Sequence, residues 1–328
     1  MGGVVPVLAA AVLWGTVGPA QLLAGRDIDP VALGACRMLL GGLALALVTA
    51  RPAGLRTLTA RAVRGPLAAG ILTTAAFQVC FLQAVERGGA AVATAVTFGT
   101  VPVAGGLCAR ILTGERTGPR WPWGTACAVL GIGLMLLPGS GGRVDAVGLC
   151  CAVAAGVAFG AYIPVVKLLG ARGAELAAAS PVCVFGAGLL VSPYLFAVGD
   201  PGPLGSARGL ALVAWLGLGT TALGYLLFTR GVTRISAGTA GTLSLTEPLV
   251  ATGLGVLLLG ERPGAPAAVG AALLLGGLIV VSLPMGEHPR RPAPPHRPAT
   301  PPRAPTPRPR TPQPPNGTGP GEPAQRSR

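Results

Sequence analysis

The chain has 328 residues, 51% of them hydrophobic and only 11% charged, with a net charge of +14. A soluble domain carries about a quarter of its residues as charge, so this composition excludes a water-soluble enzyme or binding module. The basic excess does not point to nucleic acid either: the arginines sit between long apolar runs, where anionic lipid is their partner.

The first apolar run, from about Val4 to Leu23, lacks a basic leader and reads as a first membrane span, not a cleaved signal. Nine more follow, at about Val31–Thr49, Pro66–Val85, Ala90–Leu112, Trp121–Pro138, Val144–Leu168, Leu176–Val198, Leu210–Phe228, Ala237–Leu259 and Ala265–Pro284. Each is near the ~20 residues that a helix needs to cross hydrocarbon. Barrel strands would alternate polar and apolar residues over about ten positions, which these runs do not. The predicted fold is an all-α integral membrane protein of ten helices, rich in glycine (52 residues) so that helices can pack closely in lipid.

Loops after even-numbered spans, with the span ends beside them, hold Arg51, Arg56, Arg61, Arg64, Arg110, Arg116, Arg120, Lys167, Arg172, Arg230 and Arg234. Loops after odd spans hold Arg26, Arg87, Arg143, Arg208 and Arg262. The positive-inside rule then predicts a multi-pass protein of the cell membrane with both termini cytoplasmic.

A repeat organises the spans. Thr97–Gly118 and Thr242–Gly264 share Thr100/Thr246, Pro102/Pro248 and the triplets Gly114-Glu115-Arg116 and Gly260-Glu261-Arg262, each pair 146 residues apart. The same offset pairs Gly124 with Gly270 and Gly131 with Gly277. Five spans per copy is an odd number, so the second copy enters the membrane inverted, a common plan of secondary transporters. The predicted units are residues 1–142 and 143–284, followed by a Pro/Arg-rich segment, 285–328, expected to be a disordered cytoplasmic tail.

These features resemble the EamA-type, ten-helix members of the drug/metabolite transporter superfamily. The two Pro…Gly-Glu-Arg helices carry the resemblance, with Trp14-Gly15 in the first span and Arg37 in the second. It implies secondary transport, usually outward, of small metabolites such as amino acids or drugs. One departure is visible: Val101 stands where the second copy has Glu247.

Glu247 lies about halfway along its span, where a charge costs roughly 2.5–3.5 kcal/mol on insertion scales. It is expected to bind a proton, cation or amine, or else to be held by neighbouring Ser and Thr side chains. Pro248 cannot donate a backbone bond, so a kink with a free Ser244 carbonyl is expected; Pro102 is expected to break the equivalent helix. Arg37 is expected to bind a substrate carboxylate, to pair with Glu247, or to reach outward to headgroups. Trp14, Gln78, Tyr162, Tyr225 and Thr246 are expected to line a central cavity, with interfacial anchoring as the alternative for Trp14. Lys167 is expected to reach headgroups, and Glu115 to be structural.

No metal or cofactor set is present: the seven cysteines lie in apolar runs without a CxxC spacing, and the two histidines, His288 and His296, fall in the last segment. No nucleotide loop appears. A membrane-embedded enzyme acting on lipid would need an acidic or histidine cluster, and a channel a ring of like residues. The expectation is a transporter, not an enzyme, with a small-molecule substrate, lipid contacts and proton coupling.

Overall fold

The computed structural model describes residues 2–25, 28–136, 145–197, 202–260 and 264–283. The boundary near 142, the Glu261-Arg262 half of the second triplet and the segment 285–328 lie outside these. No strand occurs among the described residues.

The membrane helices follow the apolar runs. The first is interrupted at Thr16, giving α1 (Val4–Gly15) and α2 (Val17–Ala24). Then come α3 (Pro30–Thr49), the short α4 (Pro52–Thr57), α5 (Arg61–Gly88) and α6 (Ala90–Thr113). α7 (Trp121–Leu136), α8 (Ala146–Ala171), α9 (Leu176–Val191) and α10 (Pro193–Ala197) lie next. The eighth run is α11 (Ala207–Ala214), a π-helical segment (Trp215–Leu223) and α12 (Gly224–Val232). α13 (Ala237–Leu243), α14 (Thr246–Leu259) and α15 (Ala265–Ser282) complete the bundle.

Among the described residues, nine helical stretches are long and apolar enough to span a membrane, and Trp121–Leu136 is a shorter tenth. The protein is therefore a multi-pass, all-helical membrane protein. α5 extends five residues before the expected start, so Pro66 lies inside the helix; its missing N–H cannot serve the Ala62 carbonyl, which instead accepts the Arg172 guanidinium at 3.2 Å.

Capping follows the sequence closely. Asp29 accepts the Ala32 amide at 2.7 Å where Pro30 opens α3. Both triplet glycines end their helices in the left-handed region, Gly114 at φ 68° and Gly260 at φ 69°. That conformation is costly for a residue with a Cβ, which accounts for glycine at both places.

α8 packs along α5 and α6, α3 along α9, and α7 against α15. The α7–α15 crossing is made of glycine. A Cβ on Gly131 would lie 2.5 Å from the Leu274 backbone nitrogen, and one on Gly277 would lie 2.5 Å from the Gly124 carbonyl oxygen. Small residues of this kind let membrane helices meet backbone to backbone.

Two expectations about proline are corrected. α6 runs through Pro102 without a break. At Pro248 the interruption between α13 and α14 falls at Ser244–Leu245, but the Ser244 carbonyl is not free: it accepts the Glu247 amide at 3.0 Å. A tight i→i+3 turn takes up the carbonyl that the proline ring cannot serve.

Candidate functional site

The interruptions converge on one chamber. Trp14 ends α1 just before the break at Thr16, the π segment contributes Thr221, and Glu247 opens α14 just beyond the α13–α14 break. With Arg37, Phe77, Phe81, Phe159, Tyr225 and Val17 they enclose a cavity of about 80 Å³. Broken helices are where a membrane protein can turn polar groups and backbone toward an interior space.

Trp14 does not anchor at an interface. It is 9% exposed, and its indole N–H donates to the Thr220 carbonyl of the π segment at 2.9 Å. The ring sits edge-on to Phe159 and Tyr225, with centroids 5.8 and 5.6 Å away. Gly224 makes room for it: a Cβ there would lie 2.7 Å from the indole nitrogen. The wider π turn, a feature often found at functional sites, thus holds both the acceptor for Trp14 and a wall of the chamber.

Arg37 turns inward, not out to headgroups. Its guanidinium donates to the Gln78 amide oxygen at 2.9 Å, and Gln78 is itself buried. Gly34, one turn before Arg37 on α3, leaves the space that the Gln78 amide fills. Arg37 and Glu247 both face the cavity and attract each other across it, but they make no direct ion contact; the ion pairs among the described residues are Arg87–Asp145 and Lys167–Glu115. The Glu247 carboxylate has no hydrogen-bond partner among the described residues, so neighbouring Ser and Thr do not hold it. Thr246 is buried beside it with an unpartnered hydroxyl, and Pro248 follows.

Tyr162 is buried behind the chamber, its ring 6.0 Å from that of Tyr225 and 6.5 Å from that of Phe228. It backs the wall and is not among the cavity-lining residues. Phe77, Phe81 and Phe159 were not singled out by sequence. A phenylalanine in an apolar helix carries no sign of whether it faces lipid or the interior.

At one end of the bundle, Lys167 does not reach out to headgroups. It donates to Glu115 at 2.6 Å and to the Ile235 carbonyl at 2.9 Å, while Glu115 accepts the Ala237 amide at 3.1 Å. Glu115 thereby ties the ends of α6 and α8 to the start of α13.

The described residues form a bundle of membrane-spanning helices around a small chamber lined by a carboxylate, a guanidinium and aromatic rings. The EamA-like transporter family matches residues 1–137 and again 146–283, and the chain belongs to that family. An uncharacterized transporter of Bacillus subtilis, YwfM, is 34% identical over 277 residues, 84% of this chain and 92% of that protein. An uncharacterized protein of Pseudomonas aeruginosa, PA1977, is 31% identical over 261 residues, 78% of this chain and 85% of its own length. A solved crystal structure at 22% identity shares the fold, with a TM-score of 0.73 over 85% of this chain and 96% of that one.

Proposed function

We propose that the protein is a secondary active transporter that exports a small metabolite, an amino acid or an amphipathic drug, across the cell membrane by alternating access, with a proton as the counter-substrate. The observation that carries this reading is that Arg37 and Glu247 face one enclosed aromatic chamber without pairing with each other. An anionic group of the substrate would meet Arg37. A proton or an amine would meet Glu247, and the rings of Trp14, Phe77, Phe159 and Tyr225 would take its apolar part. Ligand pockets for drug-sized molecules run to roughly 300–1,000 Å³, so a chamber of about 80 Å³ must widen to admit substrate. Its present size fits a contracted stage of the cycle.

The two units, 1–142 and 143–284, would move against each other. Reciprocal contacts support a two-fold relation between them. Gly15 lies against the Glu247 carbonyl and Val250, and Gly160 against the Val101 carbonyl and Ala104; Val101 and Ala104 precede Glu247 and Val250 by 146 residues, while Gly15 and Gly160 are 145 apart, a one-residue shift of register in the first helix of each unit. Cys127 bonds the Leu273 carbonyl at 3.4 Å, itself a separation of 146. Both termini would be cytoplasmic, at the end that carries Arg51, Arg56, Arg230 and Arg234.

The test is substrate-dependent proton movement in proteoliposomes, screened with amino acids, nucleosides, sugars and amphipathic drugs. The wild type should drive uphill solute flux from a pH gradient. Glu247→Gln should abolish it, with the protein still monodisperse and inserted. Wild-type proton coupling in that variant would overturn the role of Glu247, and flux only down a solute gradient would identify a channel.

A further inference from the structure

A second and larger cavity, about 540 Å³, lies where α3 ends, α9 begins and α12 ends. One wall is apolar, formed by Leu45, Val48 and Leu226; the rest carries Arg51, Arg230 and Arg234 against a lone acid, Glu175. The hydroxyls inside are already occupied: Thr229 donates to Ser180 at 3.0 Å, and Thr49 donates to the Ala177 carbonyl at 2.6 Å. The cations are less so. Arg234 donates to the Gly2 carbonyl at 3.1 Å, while Arg51 and Arg230 have no side-chain partner among the described residues. The apolar wall runs outward without a step, since Val48 is 79% exposed and Leu47 beside it 78%. On a membrane helix that exposed face meets acyl chains.

We propose that this cavity is a binding site for one anionic phospholipid, its phosphate held by Arg51, Arg230 and Arg234 and an acyl chain laid over Leu45, Val48 and Leu226. Charge complementarity selects the headgroup: three guanidiniums face one carboxylate, and a guanidinium fork matches phosphate oxygens two at a time. Basic pockets between membrane helices are suited to anionic headgroups for this reason. The continuous apolar wall selects a lipid over a soluble anion, which would leave that wall wet. None of these residues lines the chamber of Glu247, so the proposal stands apart from the transport reading.

The full chain would be purified with equal amounts of phosphatidylglycerol and phosphatidylcholine, and retained lipid counted by native mass spectrometry. The wild type should keep one phosphatidylglycerol in preference to phosphatidylcholine. Arg51→Gln with Arg230→Gln should weaken that retention by at least about tenfold, the loss of two charge-assisted contacts. Arg56→Gln with Arg61→Gln, basic residues outside the cavity, should leave it unchanged. Equal retention of the two lipids, or undiminished retention by the Arg51/Arg230 variant, would overturn the proposal. So would release of the lipid by millimolar inorganic phosphate, which would assign the site to a soluble anion. Should the double variant aggregate, each single variant, Arg51→Gln and Arg230→Gln, must lower retention by itself or the site is refuted.

Discussion

Arg37 donates to the Gln78 amide oxygen at 2.9 Å, and this bond fixes where the guanidinium points. Gln78 is neutral, so it holds the cation without cancelling its charge, as the proposed role of Arg37 in meeting a substrate anion requires. Two substitutions separate these effects. Gln78→Leu removes the acceptor and leaves the cation short of a partner, at a cost of about 1–3 kcal/mol. It should lower the melting temperature of the purified protein. Gln78→Glu supplies a carboxylate at the same place, so stability should hold while transport falls, because Arg37 is now paired within the protein. Full transport by Gln78→Glu would show that the Arg37 charge is not used.

On the scale of elements, the end of α6 is tied to α8 and α13 through Glu115. The Lys167 ion pair is 2.6 Å long and mostly shielded, with side chains 19% and 21% exposed. Removing one partner leaves the other poorly compensated, whereas removing both does not. Glu115→Gln and Lys167→Met should each destabilise, and the double variant should lose less than their sum. The expected coupling in a double-mutant cycle of thermal unfolding is about 0.5–3 kcal/mol; additive losses would mean that the pair contributes nothing. This tie was only half legible. The triplet marked Glu115 as a structural residue, but that Gly114 is a left-handed cap came only with the structure. The partner of Glu115 lies 52 residues away, and no local pattern connects them. The chamber divides in the same way. Glu247, Arg37, Trp14 and Tyr225 stand out because polar and large amphipathic groups are costly in an apolar run. Phe77, Phe81 and Phe159 do not, because lipid and protein interior are equally apolar and leave no face-to-face contrast along the helix. The π segment was hidden for a further reason: the Thr220 carbonyl within it accepts from Trp14, 206 residues away, and no local pattern connects the two.

Across the whole molecule, the repeat read from spacing makes a demand on the α7–α15 crossing. If a two-fold axis relates the halves, every contact between residues i and j must recur between their counterparts. Gly124 meets Gly277, and Gly131 meets Gly270; moving each residue of the first contact by 146 produces the second. Gly131 and Gly277 are therefore the same residue in two copies, and a side chain at either collides with backbone that cannot swing aside. Gly131→Leu and Gly277→Leu should each destabilise by about 1–3 kcal/mol, the usual range for overpacking. The two losses should be of similar size, since each side chain would meet equivalent backbone of the facing helix. Gly276 supplies the control on the same helix: a Cβ there meets nothing within 4 Å, and its counterpart in the first unit is Leu130, which is 68% exposed. Gly276→Leu should then be neutral or stabilising, since it copies the first unit and removes a poor helix former. Melting temperatures of the three variants in one detergent decide it. If Gly131→Leu fails to fold while Gly277→Leu is tolerated, the crossing is not reciprocal, and the two units do not pack about a common axis.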